Sequence, residues 1–302
     1  MPDDPTGQSP AIAPPWRRVK LEPGLHLVAT PIGAARDITL RALDTLASAD
    51  VLAAEDTRTL RHLMEIHGIP LAGRPVYAYH DHNGAAARPR LLAALAAGQS
   101  LAYASDAGTP LVADPGFALA RAAIEDGHRV LAAPGPSALL AALTVAGLPT
   151  DRFLFAGFPP TTAKARADFL TPLAGLKATI VLYESPKRIH ELLDGLVQSL
   201  GGERKAAICR ELTKRFEEVR RGTLDELCTA LAGKTIKGEV VVVIDRGETV
   251  LATLADVDAA LRAALPGSTL RDAAGQVAEA LGLPRRDVYQ AALRLAAAEK
   301  EG

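Results

Sequence analysis

The residues able to do chemistry are gathered in a few short loops. The densest is Ser105-Asp106-Ala107-Gly108-Thr109-Pro110-Leu111-Val112-Ala113-Asp114-Pro115-Gly116, where two prolines, two glycines and two aspartates crowd together. A regular element does not tolerate that composition, so the stretch is a loop between the apolar run 100–104 and the helical pattern 117–125. Thr30-Pro31-Ile32-Gly33 and Pro134-Gly135-Pro136-Ser137 have the same character. Glu55-Asp56-Thr57-Arg58, His80-Asp81-His82-Asn83 and Glu184-Ser185-Pro186-Lys187-Arg188 add titratable groups. Loops rich in Gly and Pro can hold a polar, partly charged ligand through backbone N–H and C=O groups. The chain has no Gly-x-Gly-x-x-Gly fingerprint, Walker loop, Gly-x-Ser-x-Gly elbow or His-Glu-x-x-His pair. The usual dinucleotide, nucleotide, serine-nucleophile and zinc-hydrolase devices are therefore excluded. His80 and His82 would point to opposite sides of an extended segment, which argues against a shared metal. Transfer of a group from an activated donor fits what remains, because alignment alone can supply roughly 7–11 kcal/mol.

Those loops need elements to position them. Short apolar runs ended by turn residues predict strands at 25–29, 51–54, 76–79, 100–104 and 129–132. Helical patterns predict helices over 39–46, with Leu40, Leu43 and Leu46 on one face, then to about 67, and over 85–97 and 117–125. A further Ala/Leu-rich helix ends at 146. Asp114 is a candidate cap for the helix at 117, with Pro115 suited to its first turn. Alternation of strand and helix implies an open, mainly parallel sheet, which binds ligands at the carboxyl ends of its strands. The loops 30–33, 105–116 and 134–137 all fall at such ends.

The second half reads as α+β. Strands are predicted at 153–155, 179–183 and 239–245, and 205–210 pairs with 216–222. Helices lie between them over 164–170, up to about 200, and over 224–231. Beyond about 251 the pattern is helical, with 270–281, a break at Gly282-Leu283-Pro284, and 285–298. This is either a helix-turn-helix that brings Arg285 and Arg286 to phosphates or base edges, or a plain helical hairpin.

The 302 residues carry 34 Lys and Arg against 35 Asp and Glu, a formal charge of −1, which excludes a globally basic nucleic-acid binder but not a local basic patch. Cys209 and Cys228 lack metal or redox spacing and read as core or edge residues in a reducing compartment. No apolar run reaches the roughly twenty residues of a membrane span, and the Pro-rich start lacks the apolar core of a secretory signal. A cytoplasmic protein is expected. The expected domains are a disordered tail over 1–23, an α/β domain over 24–148, an α+β domain over 149–247 and a helical extension over 248–302.

The motifs occur in a revealing order. Val28-Ala29-Thr30-Pro31-Ile32-Gly33, Ala54-Glu55-Asp56-Thr57-Arg58, Ser105-Asp106-Ala107-Gly108-Thr109-Pro110 and Asp114-Pro115-Gly116 are followed by Pro134-Gly135-Pro136-Ser137, Gly157-Phe158-Pro159, Tyr183-Glu184-Ser185-Pro186 and Arg210-Glu211-Leu212-Thr213-Lys214. Over roughly 25–246 this series resembles the ribosomal RNA small subunit methyltransferase I family of the tetrapyrrole methylase superfamily. The tail resembles the helix-turn-helix extension of the same group. The resemblance implies the two-domain class III methyltransferase fold with S-adenosyl-L-methionine in the cleft between the domains. It also implies methylation of a cytidine 2′-hydroxyl in the decoding region of 16S ribosomal RNA, within the small ribosomal subunit, by a homodimer without metal. Carried over by position, Pro31, Asp106, Thr109, Asp114, Pro134, Ser137, Phe158 and Tyr183 would line the cofactor site, and Gly33, Gly108 and Pro110 of the same loops are candidates beside them. The superfamily's tetrapyrrole enzymes carry a Gly-x-Gly-Pro-Gly-Asp loop where this chain has Thr30-Pro31-Ile32-Gly33, which disfavours a porphyrinoid substrate.

Several roles stay open at this level. A 2′-hydroxyl must lose a proton as the methyl group arrives. Glu184, His80 and Asp81 are the candidate acceptors. Lys187, which stands where many relatives have His, is a weaker one. Glu184 reads equally well as the partner of Arg188 four residues on. Asp106 either anchors the cofactor's amino group or forms an Asx turn. Glu55, Asp56 and Arg58 are either an ion-pair cluster or a substrate contact. Arg58, Lys187, Arg188, Arg210, Lys214, Arg215, Arg285 and Arg286 are the candidate RNA contacts, although the alternating signs over 204–221 also suit a solvated strand pair. The competing functions are a tetrapyrrole carbon methylase using the same cleft and a non-catalytic nucleic-acid-binding module.

Overall fold

The computed structural model describes residues 14–247, 254–281 and 283–301. The apolar runs of the first half form strands β1 (Gly24–Val28), β2 (Val51–Ala54), β3 (Val76–Ala78), β4 (Ser100–Ala104) and β5 (Val130–Ala133). All pair in parallel, in the order β3-β2-β4-β1-β5. β2 and β4 are buried along their whole length, as near-continuous apolar runs in a sheet covered on both faces should be. The connecting helices are α1 (Leu40–Ser48), α2 (Thr57–Ile66), α3 (Gly84–Ala96), α4 (Phe117–Glu125) and α5 (Ala138–Ala146). Thr39 caps α1 by accepting the Ala42 N–H at 3.2 Å. The face expected for α1 is corrected: Leu43 and Leu46 are buried with Ala42 and Ala47, but Leu40 is 63% exposed.

The second sheet has the order β6-β7-β10-β8-β9, built from β6 (Phe153–Gly157), β7 (Thr179–Glu184), β8 (Lys205–Arg210), β9 (Glu218–Thr223) and β10 (Val240–Ile244). Only β6 and β7 are parallel. Helices α6 (Ala163–Leu170), α7 (Ile189–Leu200) and α8 (Leu224–Leu231) contribute to one core on this sheet, and α8 starts in a full Thr223/Glu226 capping box. α5 of the first half packs on the opposite side of the sheet, where Ala142, Leu143 and Ala146 meet Val181, Ala207, Cys209, Val241 and Val243. This shared core brings the carboxyl ends of the first sheet beside the second.

Three expectations change at the edges. The disordered tail expected over 1–23 does not hold for 14–23. Trp16 packs against the core that includes Leu43 and Leu60, and its Nε1–H donates to the His67 carbonyl at 3.0 Å; residues 1–13 lie outside the described residues. Asp114 is not the helix cap, since Gly116 occupies that position without a side-chain cap. His80 and His82 do not sit on an extended segment; a turn brings their rings to 6.0 Å between centroids.

Residues 248–302 form a separate unit. Its helices α9 (Leu254–Ala264), α10 (Leu270–Leu281) and α11 (Arg285–Glu301) close around Leu261, Ala274, Val277, Val288, Ala292 and Leu295. Arg285 lies over Gly275, where a Cβ would come within 2.4 Å of its guanidinium.

Candidate functional site

The loops after β1, β4 and β5 are tied to one another before any ligand is considered. Thr30 and Gly108 exchange both backbone hydrogen bonds at 3.0 Å, a one-residue bridge between the first two loops. The Thr30 hydroxyl donates to the Ser105 carbonyl at 3.0 Å, and the Ser105 hydroxyl to the Gly108 carbonyl at 2.6 Å. Thr109 donates to the Pro136 carbonyl at 2.9 Å, joining the third loop. Gly108 has φ +78°, a conformation that L side chains rarely adopt. Asp114 holds the far end of its loop by accepting from the Tyr103 hydroxyl at 3.0 Å and from the Gly116 N–H at 2.8 Å.

Between this loop cluster and the second sheet lies a cavity of about 380 Å³, within the roughly 300–1,000 Å³ usual for small-ligand sites. Among the described residues four acids line it, Glu55, Asp106, Glu184 and Glu239, and no lysine, arginine or histidine does. Two of the four are neutralised from behind. Glu184, fully buried, pairs with Arg188 and accepts the Ser185 N–H at 2.6 Å. Glu239 pairs with Lys214 at 3.1 Å, and Lys214 also holds Glu211 at 2.8 Å. Glu55 and Asp106 have no such cation among the described residues. Burial, and then the charges of Asp106, Asp114 and Asp81, push the Glu55 carboxyl above its ordinary value. Asp106 is oriented by the Asp56 N–H, which donates to its Oδ1 at 2.8 Å. On the opposite wall Phe158 is 53% exposed, and its ring centroid lies 5.6 Å from that of Tyr183. Tyr183 accepts the Leu139 N–H at 3.0 Å, and burial raises its phenol.

Of the expected cofactor residues, Asp106, Gly108, Thr109, Ser137, Phe158 and Tyr183 line the cavity; Pro31, Gly33, Pro110, Asp114 and Pro134 do not. At Gly33 a Cβ would come within 2.6 Å of Thr213 and Lys214, so the glycine permits close packing of the first loop against the second sheet's 211–217 turn. The Pro134 carbonyl accepts from Thr39 at 3.2 Å, away from the cavity. Of the expected proton acceptors only Glu184 is a lining residue, and the structure shows the ion pair that was its alternative reading. His80 and Asp81 are not among the lining residues. Glu55, weighed at first as an ion-pair or substrate residue, lines the cavity without an ion-pair partner among the described residues, as Asp106 does; its position directly after a buried strand was the available signal. Asp56 pairs with Arg58 instead, which holds its carboxyl down to about 2. Among the expected RNA contacts, Arg188 and Lys214 are taken up by acids, Arg210 pairs with Glu218 at 3.2 Å, and Lys187, Arg215, Arg285 and Arg286 are exposed. The described residues hold no group of three or more His, Cys, Asp or Glu able to take a metal, and no helix long and apolar enough to cross a membrane.

The comparisons agree with this geometry. The family described as Tetrapyrrole (Corrin/Porphyrin) Methylases matches residues 24–228, and the RsmI C-terminal HTH domain matches 252–296. A Ribosomal RNA small subunit methyltransferase I of Mesorhizobium japonicum is 50% identical over 283 residues, covering 93% of this chain and 95% of its own. The protein of that name from Xylella fastidiosa is 44% identical, covering 88% and 97%. Among solved structures, a cobalt precorrin-4 methyltransferase superposes with a TM-score of 0.57 at 18% identity, covering 73% of this chain and 94% of its own. The uroporphyrin-III C-methyltransferase of Thermus thermophilus complexed with S-adenosyl homocysteine gives 0.51 at 20%, covering 74% and 97%. At such identities the solved structures establish the fold, and the curated relatives establish the branch. The chain belongs to the ribosomal RNA small subunit methyltransferase I family, a branch of the tetrapyrrole methylases that carries a C-terminal helix-turn-helix domain.

Proposed function

We propose that this protein transfers a methyl group from S-adenosyl-L-methionine to the 2′-hydroxyl of a cytidine in 16S ribosomal RNA, within the small subunit. The observation that carries the reading is a cavity lined by four acids and no base, set in a chain whose relatives are ribosomal RNA methyltransferases. S-adenosyl-L-methionine presents a methyl group on a positively charged sulfur beside an α-ammonium group. The residues present suit such a ligand. Asp106 is oriented to meet the ammonium group, Phe158 and Tyr183 offer aromatic surface to the cation or the adenine, and the Gly108 backbone allows close approach. A binder of anions would need the opposite lining.

Glu55 is the proton acceptor in this mechanism. A carboxylate whose affinity for protons is raised by burial and by neighbouring acids is a stronger base than an ordinary one, and Glu55 faces the cavity. Glu184 serves as a fixed buried partner of Arg188, holding the 184–188 loop at the cavity mouth. The loop network around Thr30 and Gly108 sets the donor's position before the ribose arrives, so alignment costs little at the reactive step. Its placement in the cytoplasm follows from that substrate. Two copies acting together fit the apolar side chains Leu140 and Phe153 left on the surface; a monomer mass by light scattering would remove that part.

The decisive experiment supplies labelled S-adenosyl-L-methionine and small subunits lacking the modification, then maps the label. Label on one cytidine ribose of 16S RNA is the expected result. Label on a base, on the large subunit or on no RNA would overturn the reading.

A further inference from the structure

A second cavity, of about 430 Å³, lies beside the first and has the opposite charge. Its charged lining consists of Arg210, Arg220, Lys234 and Lys237 against a single acid, Glu218. Burial works against the Glu218 charge, but Arg220 and Arg210 hold its carboxyl below the ordinary range, so it stays ionised and offsets one cation of the four. Lys234 and Lys237 make no side-chain ion pair among the described residues. Both are exposed, although Lys234 and Lys237 lend their carbonyls to His190 and Arg210. Arg220 Nε is buried and has no hydrogen-bond partner. A buried guanidinium N–H without an acceptor costs free energy, so the Arg220 charge is not fully satisfied by Glu218.

The sheet fixes how close the two cavities are. Glu184, Val240, Arg210 and Glu218 are successive cross-strand partners on β7, β10, β8 and β9. The first two line the acidic cavity and the last two the basic one. Neighbouring strands are about 4.8 Å apart. Lys237 of the basic pocket is followed in the chain by Gly238 of the acidic cavity. A polyanion with one sugar at the first cavity therefore passes the second within one or two residues of its own backbone.

We propose that Arg210, Arg220, Lys234 and Lys237 form a binding site for an RNA backbone phosphate adjacent to the nucleotide being methylated. The site positions the substrate strand and takes no part in the chemical step. This rests on the reading of the chain as an RNA ribose methyltransferase. It revises the expected RNA surface, in which Lys214 and Arg188 were counted: those two side chains are occupied by Glu211, Glu239 and Glu184, whereas Lys234 and Lys237 are free to meet a phosphate.

The test is the full-length Lys234→Gln/Lys237→Gln double variant, chosen because both side chains are exposed and their loss leaves the core intact. A single-stranded RNA oligonucleotide serves as the binding probe over a range of salt. Small subunits lacking the modification serve as the substrate. The slope of log affinity against log salt should become shallower by about one to two. KM for the subunit should rise about tenfold, with kcat and the calorimetric affinity for S-adenosyl-L-methionine unchanged. Lys234→Arg/Lys237→Arg, which keeps both charges, should behave as wild type. An unchanged salt slope and KM in the Gln variant would overturn the site while leaving the enzymatic reading intact. If the wild-type protein methylates no RNA, the enzymatic reading fails, and the oligonucleotide slope still decides whether the pocket holds phosphate.

Discussion

Gly108→Ala tests whether the loop network sets the position of the methyl donor. The glycine holds φ +78° while its N–H and C=O are both bonded to Thr30 at 3.0 Å and its carbonyl also accepts the Ser105 hydroxyl at 2.6 Å. A left-handed conformation costs an L residue roughly 1–2 kcal/mol. The new methyl would stand 3.3 Å from Ile32 Cγ2, which must give by a few tenths of an ångström, and 3.7 Å from the Pro136 carbonyl, an ordinary contact. Escape to negative φ would break hydrogen bonds worth about 1 kcal/mol each, so the loop has no inexpensive way out. The variant should lose about 1–2 kcal/mol of stability, which for a protein of this size is about 2–4 °C in Tm for each kcal/mol. Asp106 and Thr109 flank the strained residue and line the cavity, so strain relieved by a loop shift must be restored on binding. Affinity for S-adenosyl-L-methionine should therefore fall by a factor of about 5–30. Thermal unfolding with and without ligand, together with calorimetric titration, measures both. A variant with wild-type Tm and wild-type affinity would refute the argument.

Two further substitutions separate the roles assigned to the acids. Glu55→Gln should lower kcat by roughly 10²–10⁴ and abolish the acid limb of the pH–rate profile, while binding of S-adenosyl-L-methionine survives; an unchanged profile would remove Glu55 from the proton transfer. The same variant has a stability signature. Because the folded protein raises the Glu55 carboxyl, its contribution is present at low pH and lost as pH rises through the raised value, so the variant should be more stable than wild type at neutral pH and lose that advantage below the ordinary glutamate value of 4.5. Glu184→Gln should instead destabilise the protein by about 3 kcal/mol, the low end of the roughly 3–5 kcal/mol for breaking a buried pair, because Arg188 keeps 24% exposure. Its pH–rate profile should match wild type, and a lost acid limb would return Glu184 to the mechanism.

Much of this site was legible from local composition. Strands β2 and β4 and helices α4 and α8 follow the apolar runs and helical periods residue for residue, and the Gly/Pro loops at the ends of β1, β4 and β5 do meet at the cavity. What local patterns could not carry was partner choice. Glu184 with Arg188 is a local pair, so it could be named in advance; Glu239 with Lys214 joins the ends of two strands 25 residues apart in sequence and could not. The turn at 211–217 replaced the start of a predicted strand because Glu211 and Thr213 adopt φ of 52° and 64°, a conformation that neither residue type announces. Gly33 was expected at the cofactor with the rest of the first loop; no local pattern shows that a Cβ there would meet Thr213 and Lys214, residues about 180 positions away.

The same distinction explains why a formal charge of −1 is compatible with an enzyme acting on RNA. Along 204–221 acids and bases alternate, and the segment looks self-neutralised. Folding sorts them. Glu211 and Glu239 draw Lys214 inward, and Glu184 draws Arg188, which cancels the two acids on the second-sheet wall of the donor cavity. One strand further along the same row, Arg210 and Arg220 share a single acid and are joined by Lys234 and Lys237 from a distant loop. The uncompensated negative charge is thereby confined to Glu55 and Asp106 on the first-sheet wall. On the proposed reading, the positive part of the donor and the hydroxyl to be deprotonated both meet that wall, while the phosphates approach from the second sheet. A uniformly acidic cleft would repel the RNA, and a uniformly basic one would repel the donor. Two cavities of opposite sign, lined in part from neighbouring strands of one sheet, admit both.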